Sequence, residues 1–158
     1  MTREQLEKAY EKALNDAAKQ LSYRDLSKAS LIEKLIAKGH SEDAAEYAVA
    51  YLEDKNFLDD TRYAQMLLKS YARKGYGTRR IKQELKKRGI SNDDAAEIYS
   101  EYETDYSVLH SLLDKKLKGD VSDKKEIQKS IAFLQRRGFS WSEIKKALDE
   151  YINEHIEY

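Results

Sequence analysis

Apolar residues recur along this chain at spacings of three and four, so nearly every segment predicts an amphipathic helix with one buried stripe. A first helix covers about residues 4–20, with Leu6, Ala9, Tyr10, Ala13, Leu14 and Ala17 on one face. Ser27 is placed to cap a second, which carries Leu31, Ile32, Leu35 and Ile36 and stops at Gly39. Ser41 caps a third, with Ala45, Ala48, Val49 and Leu52 inward. The pair Asp59 and Asp60 suits the start of a fourth, because carboxylates complement the positive end of a helix dipole. That helix bears Tyr63, Ala64, Met66, Leu67, Leu68 and Tyr71. Gly75, Tyr76 and Gly77 interrupt the pattern; helices over 78–88 and 92–102 follow, then others near 105–118 and 123–137. A ninth begins at Trp141, where Ser140 and Glu143 have capping-box spacing.

One corner is written three times. Leu35, Gly39 and Ser41 are matched by Leu85, Gly89 and Ser91 and by Leu134, Gly138 and Ser140. A basic residue (Lys38, Arg88, Arg137) precedes each glycine, and Ile90 or Phe139 follows it, with His40 as the departure in the first copy. The cation complements the helix C-terminus, glycine takes the left-handed cap, the apolar residue folds back, and serine caps the next helix. The glycines stand 50 and 49 residues apart. The expected architecture is therefore all-α: three tandem three-helix, helix-turn-helix-like repeats over residues 1–54, 55–103 and 104–158, stacked into an elongated array.

Composition agrees and narrows the function. The 158 residues include no proline and no cysteine. Lack of cysteine removes disulfides, thiolate nucleophiles and cysteine zinc sites. No apolar run approaches the ~18 residues of a membrane span, and the first residues are charged and amphipathic. The expectation is a cytoplasmic protein without signal peptide or membrane contact. His40, His110 and His155 lack metal-ligand spacing, no phosphate loop or serine elbow occurs, and the two close glycines follow no strand. A non-enzyme without cofactor or metal is expected.

Net charge is zero, but its distribution is uneven. Between Arg62 and Arg88 ten basic residues face Glu84 alone; seven acids lie in 41–60 and six in 90–105. That basic block points to a polyanion or an acidic protein groove as partner. Its densest part is Arg73, Lys74, Tyr76, Arg79, Arg80 and Lys82, where free N–H groups at a helix start would add anion affinity. Arg79, Lys82 and Lys86 form one stripe opposite Ile81 and Leu85, able to follow phosphates. Tyr76 either stacks on an unpaired base or anchors the corner.

These residues resemble a known family, the RecX regulatory proteins that control the RecA recombinase. The segment from Leu52 to Ala64, with Leu58, Asp59, Asp60, Arg62 and Tyr63, is similar to that family's leucine-aspartate-aspartate-x-arginine-aromatic-alanine signature. The segment from Ala72 to Leu85 is similar to its arginine-glycine-tyrosine-glycine stretch, and residues 31–39 resemble the preceding repeat. The resemblance implies a curved array of three-helix units and a non-enzymatic, monomeric regulator. It would bind the RecA–single-stranded DNA filament and inhibit extension, ATP hydrolysis, strand exchange and co-protease activity. Arg62, Arg73, Lys74, Tyr76, Arg79, Arg80, Lys82 and Lys86 would then face the filament, with auxiliary contacts to single-stranded DNA phosphate. Arg62 has an alternative, an ion pair with Asp59 or Asp60. Thr78 stands where many members have proline, and the neutral chain implies weak, salt-sensitive affinity for bare DNA. The competing reading is an independent helix-turn-helix DNA-binding regulator. Against it, the natural recognition helices are acidic, with Glu42, Asp43, Glu46 and Glu53 in one and Asp93, Asp94, Glu97 and Glu101 in the other.

Overall fold

The computed structural model describes residues 1–156. Among these residues there are nine helices and no strand: α1 (Arg3–Tyr23), α2 (Lys28–Ala37), α3 (Glu42–Asp54), α4 (Asp60–Arg73), α5 (Thr78–Lys87), α6 (Ala96–Glu101), α7 (Tyr106–Leu117), α8 (Lys124–Arg136) and α9 (Trp141–His155). The all-α class and its three tandem three-helix domains are as expected.

Caps fix most of the starts. The hydroxyls of Ser27, Ser41 and Ser140 accept from the N–H groups of Ser30, Ala44 and Glu143, and Asp59 accepts from Arg62 N–H at 3.1 Å. A second capping box, Thr2 with Gln5, starts α1 just before its predicted beginning. The sixth helix is shorter than its pattern suggests. Residues 92–95 form turns, and α6 begins only at Ala96. Asn92, Asp93 and Asp94 are poor helix formers whose short polar side chains compete for backbone partners, and Ser91 Oγ holds Asp94 N–H at 3.1 Å instead.

The written corner is a Schellman motif. In all three copies the residue after the glycine donates its N–H to the leucine carbonyl: His40 to Leu35, Ile90 to Leu85 and Phe139 to Leu134, at 3.0–3.2 Å. The same bond pattern closes two further turns, Tyr76 to Tyr71 and Phe57 to Leu52. Asn56 supplies the positive φ of the second, at 64°, a role that asparagine tolerates.

Two compact units result. The first comprises Met1–Met66 with Leu85–Ala96, the second Leu67–Glu84 with Glu97–Tyr158. In the first, α1, α2 and α3 pack pairwise around Ala13, Ala17, Leu31, Leu35, Ala45, Ala48 and Leu52. Alanines here let the helices approach closely. In the second, α7, α8 and α9 enclose Leu109, Leu113, Leu134, Ile144, Ala147 and Tyr151. Each fully buried leucine contributes about 1.5–3 kcal/mol of apolar burial. Leu6, Ile36 and Met66, expected inward, are instead exposed at 43%, 45% and 48%: Ile36 and Met66 sit at the margin of their stripes, and Leu6 lies in the first turns of α1, which are exposed all round.

Candidate functional site

In the second unit the basic segment is built around the turn that closes α4. Gly75 adopts φ +88°, and Tyr76 N–H bonds back to the Tyr71 carbonyl. The chain then meets the end of α8. Gly77 N–H donates to the Arg137 carbonyl at 2.7 Å and Arg79 N–H to the Gly138 carbonyl at 3.2 Å. The Arg79 guanidinium donates to the Gln135 carbonyl at 2.6 Å, and Arg137 Nη1 reciprocates to the Lys74 carbonyl at 3.2 Å. The positive end of α5 is thus satisfied by orphan carbonyls at the negative end of α8. Two backbones must approach closely for this. A Cβ on Gly77 would lie 2.5 Å from the Gly138 carbonyl carbon, and one on Gly138 would overlap the Arg80 backbone nitrogen.

This joint changes how the basic segment is read. The amides of Gly77 and Arg79, expected to be open to an anion, are occupied by carbonyls. Arg79 acts as a cap for α8. Tyr76 is half-buried in the corner: its ring meets Tyr71 edge-on at 5.9 Å and lies near the guanidiniums of Arg80 and Arg137, at 5.3 and 4.8 Å. Arg80 also donates to Glu84 at 3.1 Å, which offsets its charge. Lys82 sits 5.0 Å from the centre of the Tyr99 ring. The Tyr99 hydroxyl is buried without a hydrogen-bond partner, and burial pushes its pKa up.

Other cations stay available. Arg73 is exposed and Lys74 lies 5.3 Å over the Tyr71 ring. Across a cleft of about 280 Å³, α7 presents Lys115 and Ser111 to Arg73 and Lys74. Pattern reading overlooked Lys115, one of several lysines near the end of α7. It likewise treated Arg137 only as a helix-end cation, although the repeated corner had already singled it out.

Lys86 and Arg62 belong to the first unit. Lys86 is exposed in the last turn of α5. Arg62 forms no ion pair with Asp59 or Asp60; its guanidinium reaches the Asn56 carbonyl at 3.4 Å. Asp59 is used by the Arg62 backbone, and Asp60 accepts from Lys28 N–H at 3.0 Å. Burial raises the Asp60 pKa despite that bond and the nearby Lys28 charge. The first unit has its own version of the helix-end joint. Ser27 Oγ and Ser30 Oγ, at the start of α2, donate to the Arg88 carbonyl at 2.6 and 2.9 Å. Gly89, with φ +87°, packs so closely there that a Cβ would strike Ser27 Oγ.

Comparison with known proteins accounts for most of the chain. Family models for the first, second and third three-helix domains of RecX match residues 9–52, 59–97 and 103–148. A protein named Regulatory protein RecX from Vibrio campbellii is 38% identical over 130 residues, covering 81% of this chain and 84% of that one. One of the same name from Pelodictyon phaeoclathratiforme is 33% identical over 139 residues, 86% of each. Among solved structures, RecX from Lactobacillus salivarius superposes with a TM-score of 0.80 at 24% identity, over 91% of this chain and 97% of that one. That likeness concerns the fold.

Proposed function

The chain belongs to the RecX family of regulatory proteins, and from that premise we propose that it regulates RecA by binding the RecA–single-stranded DNA filament. In this reading it inhibits filament extension, ATP hydrolysis, strand exchange and co-protease activity, acting as a cytoplasmic monomer without catalysis of its own. The repeat boundaries at 54/55 and 103/104 form part of the proposal.

The observation that carries it is the ten-to-one basic block, read with the family match. The filament is a polyanion wrapped in protein, and a concentrated cationic segment is drawn to such a surface. Within the block the roles divide. Arg73, Lys74, Lys82 and Lys86 supply charge to the partner, while Tyr76, Arg79 and Arg80 hold the turn that presents it. Arg62 contributes from the first turn of α4. The independent DNA-reader alternative gains no support: α6 is only six residues long, with Glu97 and Glu101, too short and too acidic to lie along a major groove.

The test is RecA-catalysed, single-stranded-DNA-dependent ATP hydrolysis titrated with wild type, Arg73→Glu with Lys86→Glu, and Arg79→Glu with Arg80→Glu. Both double variants are expected to lose inhibition. The second is also expected to melt earlier, because Arg79 caps α8. Full inhibition by the first variant at physiological salt would remove these cations from the interface.

A further inference from the structure

We propose that the cleft between the end of α4 and α7 is a phosphate site for a nucleic-acid backbone, formed by Arg73, Lys74, Lys115 and Ser111. The proposal rests on the filament reading above and gives its DNA contacts a location. Neither Arg73 nor Lys115 has an ion-pair partner among the described residues, although acids are as numerous as bases in the chain. The neighbouring acids are engaged elsewhere: Asp105 accepts from the Ser107 hydroxyl and amide, and Asp114 accepts from Tyr151 Oη at 2.8 Å. Arg73 and Lys115, with Lys74 beside them, thus line one concavity without an ion-paired acid among the described residues.

Position in the fold is independent support. Gly75 lets the end of α4 pack against the Leu112 side chain of α7, where a Cβ would sit 3.2 Å from Leu112 Cδ1, and this contact brings the facing cations together. The Arg73 guanidinium suits the paired oxygens of a phosphodiester, Lys115 adds a point charge, and the Ser111 hydroxyl can donate. Val108 and Leu112 line the same cleft and give the sugar beside each phosphate an apolar surface. By contrast, the start of α5 that pattern alone favours has spent Arg79 on the Gln135 carbonyl and Arg80 on Glu84.

The experiment is binding of fluorescent oligothymidine to the full chain, by anisotropy, between about 50 and 200 mM salt. It compares wild type, Arg73→Gln with Lys115→Gln, and the charge-matched control Lys124→Gln with Lys125→Gln, whose exposed side chains lie outside the cleft. Each lost single-strand phosphate contact lowers the slope of log K against log salt by about 0.7, so the cleft variant should lose about 1.4 and the control little. Circular dichroism checks that both remain helical. Equal loss in the two variants, an unchanged slope in the cleft variant, or displacement of the strand by polyglutamate at equal charge would overturn the site. RecA ATP hydrolysis is read separately: failure to inhibit it, with the slope result as expected, counts against the filament reading and leaves the phosphate site standing.

Discussion

Gly39 and Gly138 share almost the same backbone torsion, φ +101° and +97°, in very different surroundings. Around Gly39 a Cβ would meet nothing within 4 Å, whereas around Gly138 it would collide with the backbone of Arg80. Gly39→Ala should therefore cost only left-handed strain, about 1–2 kcal/mol. Gly138→Ala should cost clearly more and also loosen the joint at Gly77, as urea denaturation of both variants would show. Equal costs would mean that the glycine contact is not essential. The glycine pattern was legible in the sequence, but the difference was not, because it depends on what another element brings to the same point. Ionisable residues give a second test at this scale. The hydrogen bond from His40, at 2.5 Å, holds the Asp16 carboxyl below its ordinary 3.8. A depressed carboxyl stabilises the fold above its unfolded value and loses that contribution as pH falls through the folded one. Asp60, raised by burial, has the opposite sign: its ionised form weakens the fold at neutral pH, and acid relieves it. The melting advantage of wild type over Asp16→Asn should accordingly shrink as pH falls below the ordinary carboxyl value of 3.8. Asp60→Asn should melt no lower than wild type at pH 7, since the amide oxygen still accepts from Lys28.

At the scale of elements, local signals were sufficient wherever a cap and a stripe agreed. Ser27, Ser41 and Ser140 all cap as their spacing predicts, and Leu35, Leu85 and Leu134 are each at most 1% exposed. Leu85→Ala should cost about 2–5 kcal/mol in thermal or chemical denaturation. An unchanged stability would show that this corner is not packed as described. Where the periodic pattern overran, local chemistry prevailed, as at Asn92, Asp93 and Asp94, which turn before α6. The basic segment was legible as a cluster of charge. Its division of labour was hidden, because the carbonyls that occupy Arg79 and the N–H groups of α5 come from α8, more than fifty residues away in the chain. Ser27 carries a similar double load: its hydroxyl accepts from Ser30 N–H and donates to the Arg88 carbonyl, with no side-chain exposure. Ser27→Ala should thus destabilise more than Ser41→Ala, whose cap function alone is worth about 1 kcal/mol.

For the whole molecule, the account joins a repeat fold to a charge pattern. The repeats give rigid corners, the caps and helix-end joints hold them, and cations left unpaired by that architecture are available to a partner. Zero net charge keeps general attraction to nucleic acid low, so the account predicts weak binding to bare single strands and a stronger effect on the protein-coated filament. The most direct measurement is RecA ATP hydrolysis on single-stranded DNA, titrated with this chain at well below one copy per recombinase, with bare-strand binding measured at the same salt. The account predicts loss of hydrolysis at those ratios alongside weak bare-strand binding. Unaffected hydrolysis together with tight binding to the bare strand would contradict it.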